Sequence, residues 1–212
     1  MKNLKQIIKE EYQKILKEQN QSGLIKTLRI RKVHGDFDCG SNNLTSLKGA
    51  PSSINKGFFC DQNNLTSLEG APSSVGGDFD CSGNEHLTSL KGAPRTVNDF
   101  DCSGANLTSL EGAPSSVNWS FKCFACDLTS LKGAPTSIRG SFNCASNNLT
   151  SLEGAPSSVG RSFWCDNNKL TSLDGAPRSV GDSFYCRDQK TDIKFDEQDV
   201  RKVSDVEGYI MT

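Results

Sequence analysis

Histidine is nearly absent from this chain of 212 residues: there are two, His34 and His86, and methionine and tryptophan also occur only twice each. Two histidines so far apart in the sequence leave little for a general-base triad or a histidine-rich metal centre. One precedes the first repeated strand and the other falls in an irregular turn. No run approaches the ~20 consecutive apolar residues that a membrane helix needs. The N-terminal segment is interrupted by Lys and Glu throughout, so it does not read as a secretory signal. The expected setting is therefore a reducing cytoplasm, where the nine thiols stay reduced. A phosphate-cradling glycine loop is also missing, because the glycines fall in turns. With no catalytic constellation and no cofactor motif, the chain reads as a non-enzyme with no cofactor and no metal.

What the chain has in abundance is one repeated pattern. Eight cysteines, Cys39, Cys60, Cys81, Cys102, Cys123, Cys144, Cys165 and Cys186, recur every 21 residues, and a Phe stands two positions before each, from Phe37 to Phe184. Self-similarity at a period near 20 is the mark of a solenoid whose coils stack on one another, each too small to bury its apolar face alone. Phe and Cys alternate with a polar residue, so both point to one face of a short strand. Three residues after Cys stands Asn (Asn42, Asn63, Asn84, Asn147, Asn168), whose amide can satisfy backbone groups left unpaired where the strand turns. Leu-Thr-Ser-Leu follows, with two apolar residues three apart that suit a tight helical turn. Gly-Ala-Pro then reverses the chain, and an Ile or Val closes the coil. The third coil has one extra residue between Cys81 and Leu87, and the segment from Val97 to Cys102 is one residue short, which restores the period.

The Phe-x-Cys-x-x-Asn-x-Leu order resembles the leucine-rich repeat, with Phe and Cys in the two strand Leu positions. The Leu-Thr-Ser-Leu-x-Gly-Ala-Pro variety is similar to repeat proteins encoded by large bacteriophages and, more distantly, to the repeat domains of bacterial effectors. This likeness spans residues 33–186. It implies a leucine-rich-repeat-like solenoid, mainly β with short turns, built on one parallel sheet, and a phage origin. That repeat accepts Cys at the Asn position, where Cys126 stands, whereas Ala105 in the same column should be a weak spot. Cys186-Arg187-Asp188 resembles the Cys-x-Asp of effector ubiquitin ligases that carry related repeats. Here Cys186 is the eighth ladder cysteine, and the separate catalytic domain of those enzymes has no counterpart.

Three parts follow. Residues 1–32 hold Leu4, Ile7, Ile8, Tyr12, Ile15 and Leu16 at helical spacing, then the alternating Thr27–Arg31, as expected of a helical cap with a capping strand. Residues 33–186 form the solenoid of 21-residue coils. Residues 187–212 make a mixed cap, with helical character over 196–206 and a last strand at Tyr209-Ile210-Met211. The N-terminal helix reads as a cap, with docking on a partner as the alternative.

The cysteine column admits disulfide or metal readings, since neighbours on adjacent strands lie ~4.8 Å apart. Cys is also a small hydrophobe that fits beside a bulky Phe, and this packing role explains every ladder position. Cys123-Phe124-Ala125-Cys126 has the Cys-x-x-Cys spacing of a redox motif, but both cysteines occupy repeat positions and the strand context is not the one that motif needs.

Residues 1–32 contain nine Lys or Arg against three Asp or Glu, a charge of +6, which leaves −7 on the remainder. Acidic coils argue against nucleic acid along the solenoid. The residue before Gly-Ala-Pro alternates in sign over most of its length (Lys48, Glu69, Lys91, Glu111, Lys132, Glu153, Asp174), which relieves like-charge stacking between coils. The outward strand positions vary instead. Asp78, Asp80, Asp99 and Asp101 should cluster on one face, and Phe59, Phe124, Trp164 and Tyr185 offer aromatics that repetition does not require. These eight residues are the candidate contacts for a protein partner. The leading expectation is a non-catalytic, cytoplasmic interaction scaffold, a phage accessory protein that binds a host or virion component. The alternative is a surface- or ice-binding solenoid that uses the column Thr45, Thr66, Thr88, Thr108, Thr129, Thr150 and Thr171.

Overall fold

The computed structural model describes residues 32–212; the expected N-terminal helix and the strand over Thr27–Arg31 lie outside them. The described residues form a parallel β-solenoid of short strands with one helix. Its main ladder holds nine two-residue strands: β2 (Phe37–Asp38), β4 (Phe58–Phe59), β6 (Phe79–Asp80), β8 (Phe100–Asp101), β10 (Phe121–Lys122), β12 (Phe142–Asn143), β14 (Phe163–Trp164), β16 (Phe184–Tyr185) and β18 (Ile210–Met211). Phe pairs with Phe in strict register from Phe37 to Phe184. This is the repeat solenoid and the parallel sheet expected from the 21-residue period.

A second parallel ladder, not foreseen from the sequence, runs along another side through the Ser-Val and Ser-Ile pairs. It comprises β1 (Lys32–Val33), β3 (Ser53–Ile54), β5 (Ser74–Val75), β7 (Thr96–Val97), β9 (Ser116–Val117), β11 (Ser137–Ile138), β13 (Ser158–Val159), β15 (Ser179–Val180) and β17 (Asp205–Val206), and it is interrupted between β5 and β7 and between β9 and β11. The first interruption falls where the extra residue of the third coil shifts the register. The following pair, Thr96 with Ser116, is 20 residues apart, where the pairs β1–β3, β3–β5, β11–β13 and β13–β15 are 21 apart. The main ladder keeps its register through the same coils because the insertion and the deletion both lie outside it.

The Leu-Thr-Ser-Leu segments differ from the expected helical turn. Both leucines are buried, but the backbone pairs between coils: Thr88, Thr129 and Thr171 N–H donate to the carbonyls of Thr66, Thr108 and Thr150 at 3.0–3.2 Å. A helical turn would close those groups within the coil and leave the neighbouring coil unpaired. The turn comes one step later. The N–H of Ala50, Ala71, Ala93, Ala113, Ala134, Ala155 and Ala176 reaches back three residues to Leu at 3.0 Å. The third residue of that turn is Gly at positive φ, the geometry of a type II turn.

The core is a set of columns. Phe, Cys, both Leu and the closing Val or Ile are buried in coil after coil, and successive Phe rings lie 5.1–5.9 Å apart between centroids, a continuous aromatic spine. Beside it runs an amide column. Asn147 donates from Nδ2 to the carbonyls of Cys123 and Cys144 and accepts at Oδ1 from Leu128 N–H, at 2.9–3.0 Å. Asn63, Asn84 and Asn168 bond in the same way. Gln189, in the same register, continues the column to the carbonyls of Cys165 and Cys186 and to Leu170 N–H. At Ala105 the amide is missing, and the extra residue of the third coil compensates: it lets Leu87 N–H bond the Asn84 carbonyl at 2.9 Å.

The C-terminal residues complete a longer, final coil. The helix α1 (Glu197–Val203) has an Asp196–Asp199 capping box and buries Val200, and β17 and β18 then rejoin the two ladders. On the outside, the alternating charges form the ion pairs Lys91–Glu69 and Lys132–Glu111 at 2.6 Å, both too exposed to contribute much.

Two outcomes test this account. Gly133 has φ +97, and a Cβ there would collide with the Leu110 carbonyl of the preceding coil. Gly133→Ala should therefore lower unfolding free energy by at least ~1–2 kcal/mol in urea titration. Asn147→Ala, which strands buried backbone groups on two coils, should lower it by at least ~1–3 kcal/mol.

Candidate protein-interaction face

In each main-ladder strand Phe and Cys turn inward, so the residue between them turns outward. Register then lines up Asp38, Phe59, Asp80, Asp101, Lys122, Asn143, Trp164, Tyr185 and Met211 across one face, coil by coil. The face has two unlike halves.

The first half is acidic. Asp80 and Asp101 are direct cross-strand partners, and Asp78 and Asp99 stand one residue before the Phe of the same two coils. The four expected carboxylates are thus brought together on adjacent coils. They also brace the backbone. Asp80 Oδ1 accepts from Ser82 N–H and Oγ–H at 2.9 and 2.6 Å, Asp101 Oδ1 accepts from Ser103 N–H, Asp99 Oδ1 accepts from Ser120 N–H, and Asp78 Oδ1 accepts from Asp99 N–H. Asp36 and Asp38 do the same for Gly57 and Gly40. Asp61, just after Cys60, belongs to this group as well: burial, then the charges of Asp80 and Asp38, push its carboxyl above the usual value. The period-2 rule would have found it, since the residue after Cys turns outward like the one before it. Lys122 closes the acidic stretch, with Nζ 3.5 Å from Asp101 Oδ2.

Phe59 lies within this acidic half, and its ring covers Gly57. A Cβ on Gly57 would fall 2.6 Å from the Phe59 ring. The ring thus occupies the space that a side chain at 57 would fill, which gives Phe59 a structural task that its position in the strand did not reveal.

The second half is aromatic. Trp164 and Tyr185 stack with ring centroids 5.4 Å apart and planes 9° from parallel, both half-buried. Because they are register partners, the rings stand one behind the other along the solenoid and offer their edges to solvent. The Arg187 guanidinium lies 5.7 Å from the Tyr185 ring centroid and pairs with Asp166. Sequence reasoning missed Met211, which follows Tyr185 in register, and Tyr209, which is 75 % exposed. The strand alternation of 209–211 carried that signal. Phe124 is exposed but sits in the turn after β10, two coils away from the Trp164–Tyr185 pair, and is not part of the stack. Trp119, 52 % exposed, marks a corner between the two ladders where other coils have Gly, Lys, Asn, Arg or Asp.

Neither His34 nor His86 joins a cluster: His34 meets Asn55 at 3.3 Å, and no group of three or more His, Cys, Asp or Glu suited to a metal occurs among the described residues. No described helix is long and apolar enough to cross a membrane. No family model matches the chain, and neither a curated protein nor a solved structure matches it.

The raised Asp61 carboxyl has a testable sign. A carboxyl whose folded pKa exceeds its unfolded value destabilises the fold once ionised, and the penalty disappears when both states are protonated. Asp61→Asn should therefore raise the thermal midpoint at pH 7. The gain should shrink as pH falls through the raised folded value and vanish below 3.8, the ordinary value.

Proposed function

We propose that this chain is a non-catalytic interaction scaffold that binds a protein partner on the outward face of the main ladder. The observation that carries the reading is the Trp164–Tyr185 stack. Coil formation does not require Trp164 and Tyr185, because most equivalent positions in other coils hold Asp, Lys or Asn. Half-exposed aromatic and Arg groups are the side chains on which interface energies concentrate. At the other end of the face, Asp36, Asp38, Asp61, Asp78, Asp80 and Asp99 give a negative field that steers a basic surface toward it. The likeness to phage-encoded leucine-rich repeats supports a host or virion protein as the partner and the cell interior as its setting.

The surface-binding alternative is less well supported. Three of the seven hydroxyls of the threonine column turn back to the solenoid: Thr88, Thr129 and Thr171 Oγ1–H donate to the carbonyls of Thr66, Thr108 and Thr150 at 3.3–3.5 Å. A thermal-hysteresis assay should give no gap between melting and freezing.

The interaction reading is tested with two double variants against the partner recovered from the native cell and then purified. Trp164→Ser with Tyr185→Ser should weaken binding at least about thirtyfold, for a loss of ~2 kcal/mol or more, with unfolding unchanged in midpoint slope. Asp80→Asn with Asp101→Asn should mainly slow association and flatten its salt dependence. Binding that survives both changes would move the interface off this face.

A further inference from the structure

The amide column breaks a second time, at Cys126, and the two breaks are consecutive. Each coil can be numbered by its ladder cysteine, from Cys39 for coil 1 to Cys186 for coil 8. Ala105 then leaves coils 3 and 4 without an amide between them, and Cys126 does the same for coils 4 and 5. At the first break Leu87 N–H bonds the Asn84 carbonyl of its own coil, so it no longer ties coil 3 to coil 4. At the second, a single S–H faces the Cys102 carbonyl at 3.3 Å and the Phe124 carbonyl at 3.7 Å. One coil on, Asn147 Oδ1 takes Leu128 N–H; the equivalent Leu107 N–H bonds no other group among the described residues. Among the described coils, coil 4 alone lacks an Asn or Gln amide on both sides.

The side seams weaken at the same two joints, on opposite edges. Between coils 4 and 5 the Ser-Val ladder is interrupted, and Gly140 N–H to the Trp119 carbonyl at 2.9 Å is the bond left there. The Thr edge of that joint is closed, by Thr129 N–H to the Thr108 carbonyl at 3.0 Å and Leu110 N–H to the Lys132 carbonyl at 2.9 Å. Between coils 3 and 4 the order reverses. Ser116 and Asn118 N–H bond the Arg95 and Val97 carbonyls at 3.0–3.1 Å, and no bond links Thr88 to Thr108. The turn glycines record the same tilt. A Cβ on Gly133 would fall 2.3 Å from the Leu110 oxygen of coil 4, whereas on Gly112 it would stand 3.0 Å from the nearest atom of coil 3. Coil 4 therefore leans on coil 3 along one edge and on coil 5 along the other. The main ladder crosses both joints, with Cys81 N–H to Asp101 and Cys102 N–H to Lys122 carbonyls at 2.8 and 2.9 Å. At the other joints between coils 1 and 8 an amide reinforces it.

We propose that coil 4 is a hinge built into the solenoid. Its two seams part while the main ladder stays paired, so that coils 1–3 and coils 5–8 move as two blocks. A repeat array is held joint by joint, and the joints with fewest bonds to break open first. The line falls within the outward face: Asp38, Asp78 and Asp80 ride on the first block, and Trp164 and Tyr185 on the second. The Lys122–Asp101 pair, at 3.5 Å, straddles it. Bending there changes the angle between the acidic and aromatic halves. The hinge is a property of the free protein and is tested without a partner.

The test is native-state hydrogen exchange of the full chain, read amide by amide by NMR. Fraying from the ends would give protection that rises toward the middle; a hinge gives a minimum there. Ser116, Asn118, Leu110 and Thr129 N–H, which close the seams of coil 4, should exchange together and at least about tenfold faster than Thr171 and Gly181 N–H between coils 6 and 7. Cys81 and Cys102 N–H should stay protected until global unfolding. Cys126→Asn, which restores the column residue, should slow Leu110 and Thr129 at least about tenfold and leave Thr171 unchanged. Asn168→Ala, which covers a folding failure of the first variant, should speed Thr171 by a similar factor. Four results would overturn the proposal: an even protection profile, a first opening at another internal joint, loss of Cys81 and Cys102 protection together with the seams, or a folded Cys126→Asn or Asn168→Ala variant that exchanges like the parent.

Discussion

Pairing of backbone groups between neighbouring coils is the constraint on which everything else rests. A coil of 21 residues is too short to satisfy its own N–H and C=O groups, so they bond the coil on either side along the Phe strands, the Ser-Val strands and the Thr-Ser segment. Stacking by hydrogen bonds fixes the coil spacing, and that spacing explains the side-chain columns. Phe must follow Phe so that rings stack, Asn recurs because its one amide reaches the carbonyls of its own coil and the coil before, and Gly must stand where the next turn presses against the Leu carbonyl behind it. Like charges cannot follow like charges at that distance without repulsion, and the Lys–Glu pairs on the outside meet that condition.

The same constraint separates the residues that serve the coil from those that do not. Most outward carboxylates turn out to be partly structural, since each gives an oxygen to a nearby N–H. Phe59 is structural through Gly57. Trp164 and Tyr185 stack on each other, with Arg187 over the Tyr185 ring, and most other coils do without such rings at these positions, which is why they, rather than the aromatic content as a whole, anchor the functional reading.

Much of the fold was legible in the sequence because a repeat states its own geometry eight times. The 21-residue period gave the solenoid, the Phe-x-Cys alternation gave the inward columns, and the Asn spacing gave the amide column. The second ladder was hidden because a single apolar Val or Ile flanked by Ser does not look like a strand in isolation; it becomes one through its neighbours above and below. The leucines misled in the other direction, as a spacing of three suits a helical turn and also suits an extended segment bent around a corner. Gln189 was missed because the longer side chain did not match an Asn template, although its amide does the same work. Of the candidate face, the four clustered Asp and the Trp164–Tyr185 pair were visible from register alone. The covering of Gly57 by Phe59 and the separation of Phe124 from the stack depend on side-chain direction, which register does not determine.

The amide column also gives the solenoid an order of assembly. Each amide reaches back: the Asn of one coil holds the Leu N–H and the Cys carbonyl of the coil before it. A coil is therefore left unfinished until its successor has been made. During synthesis from the N-terminus, where chains fold progressively as they emerge, the nascent protein carries a single incomplete coil at its leading edge. Every coil behind that edge is already sealed.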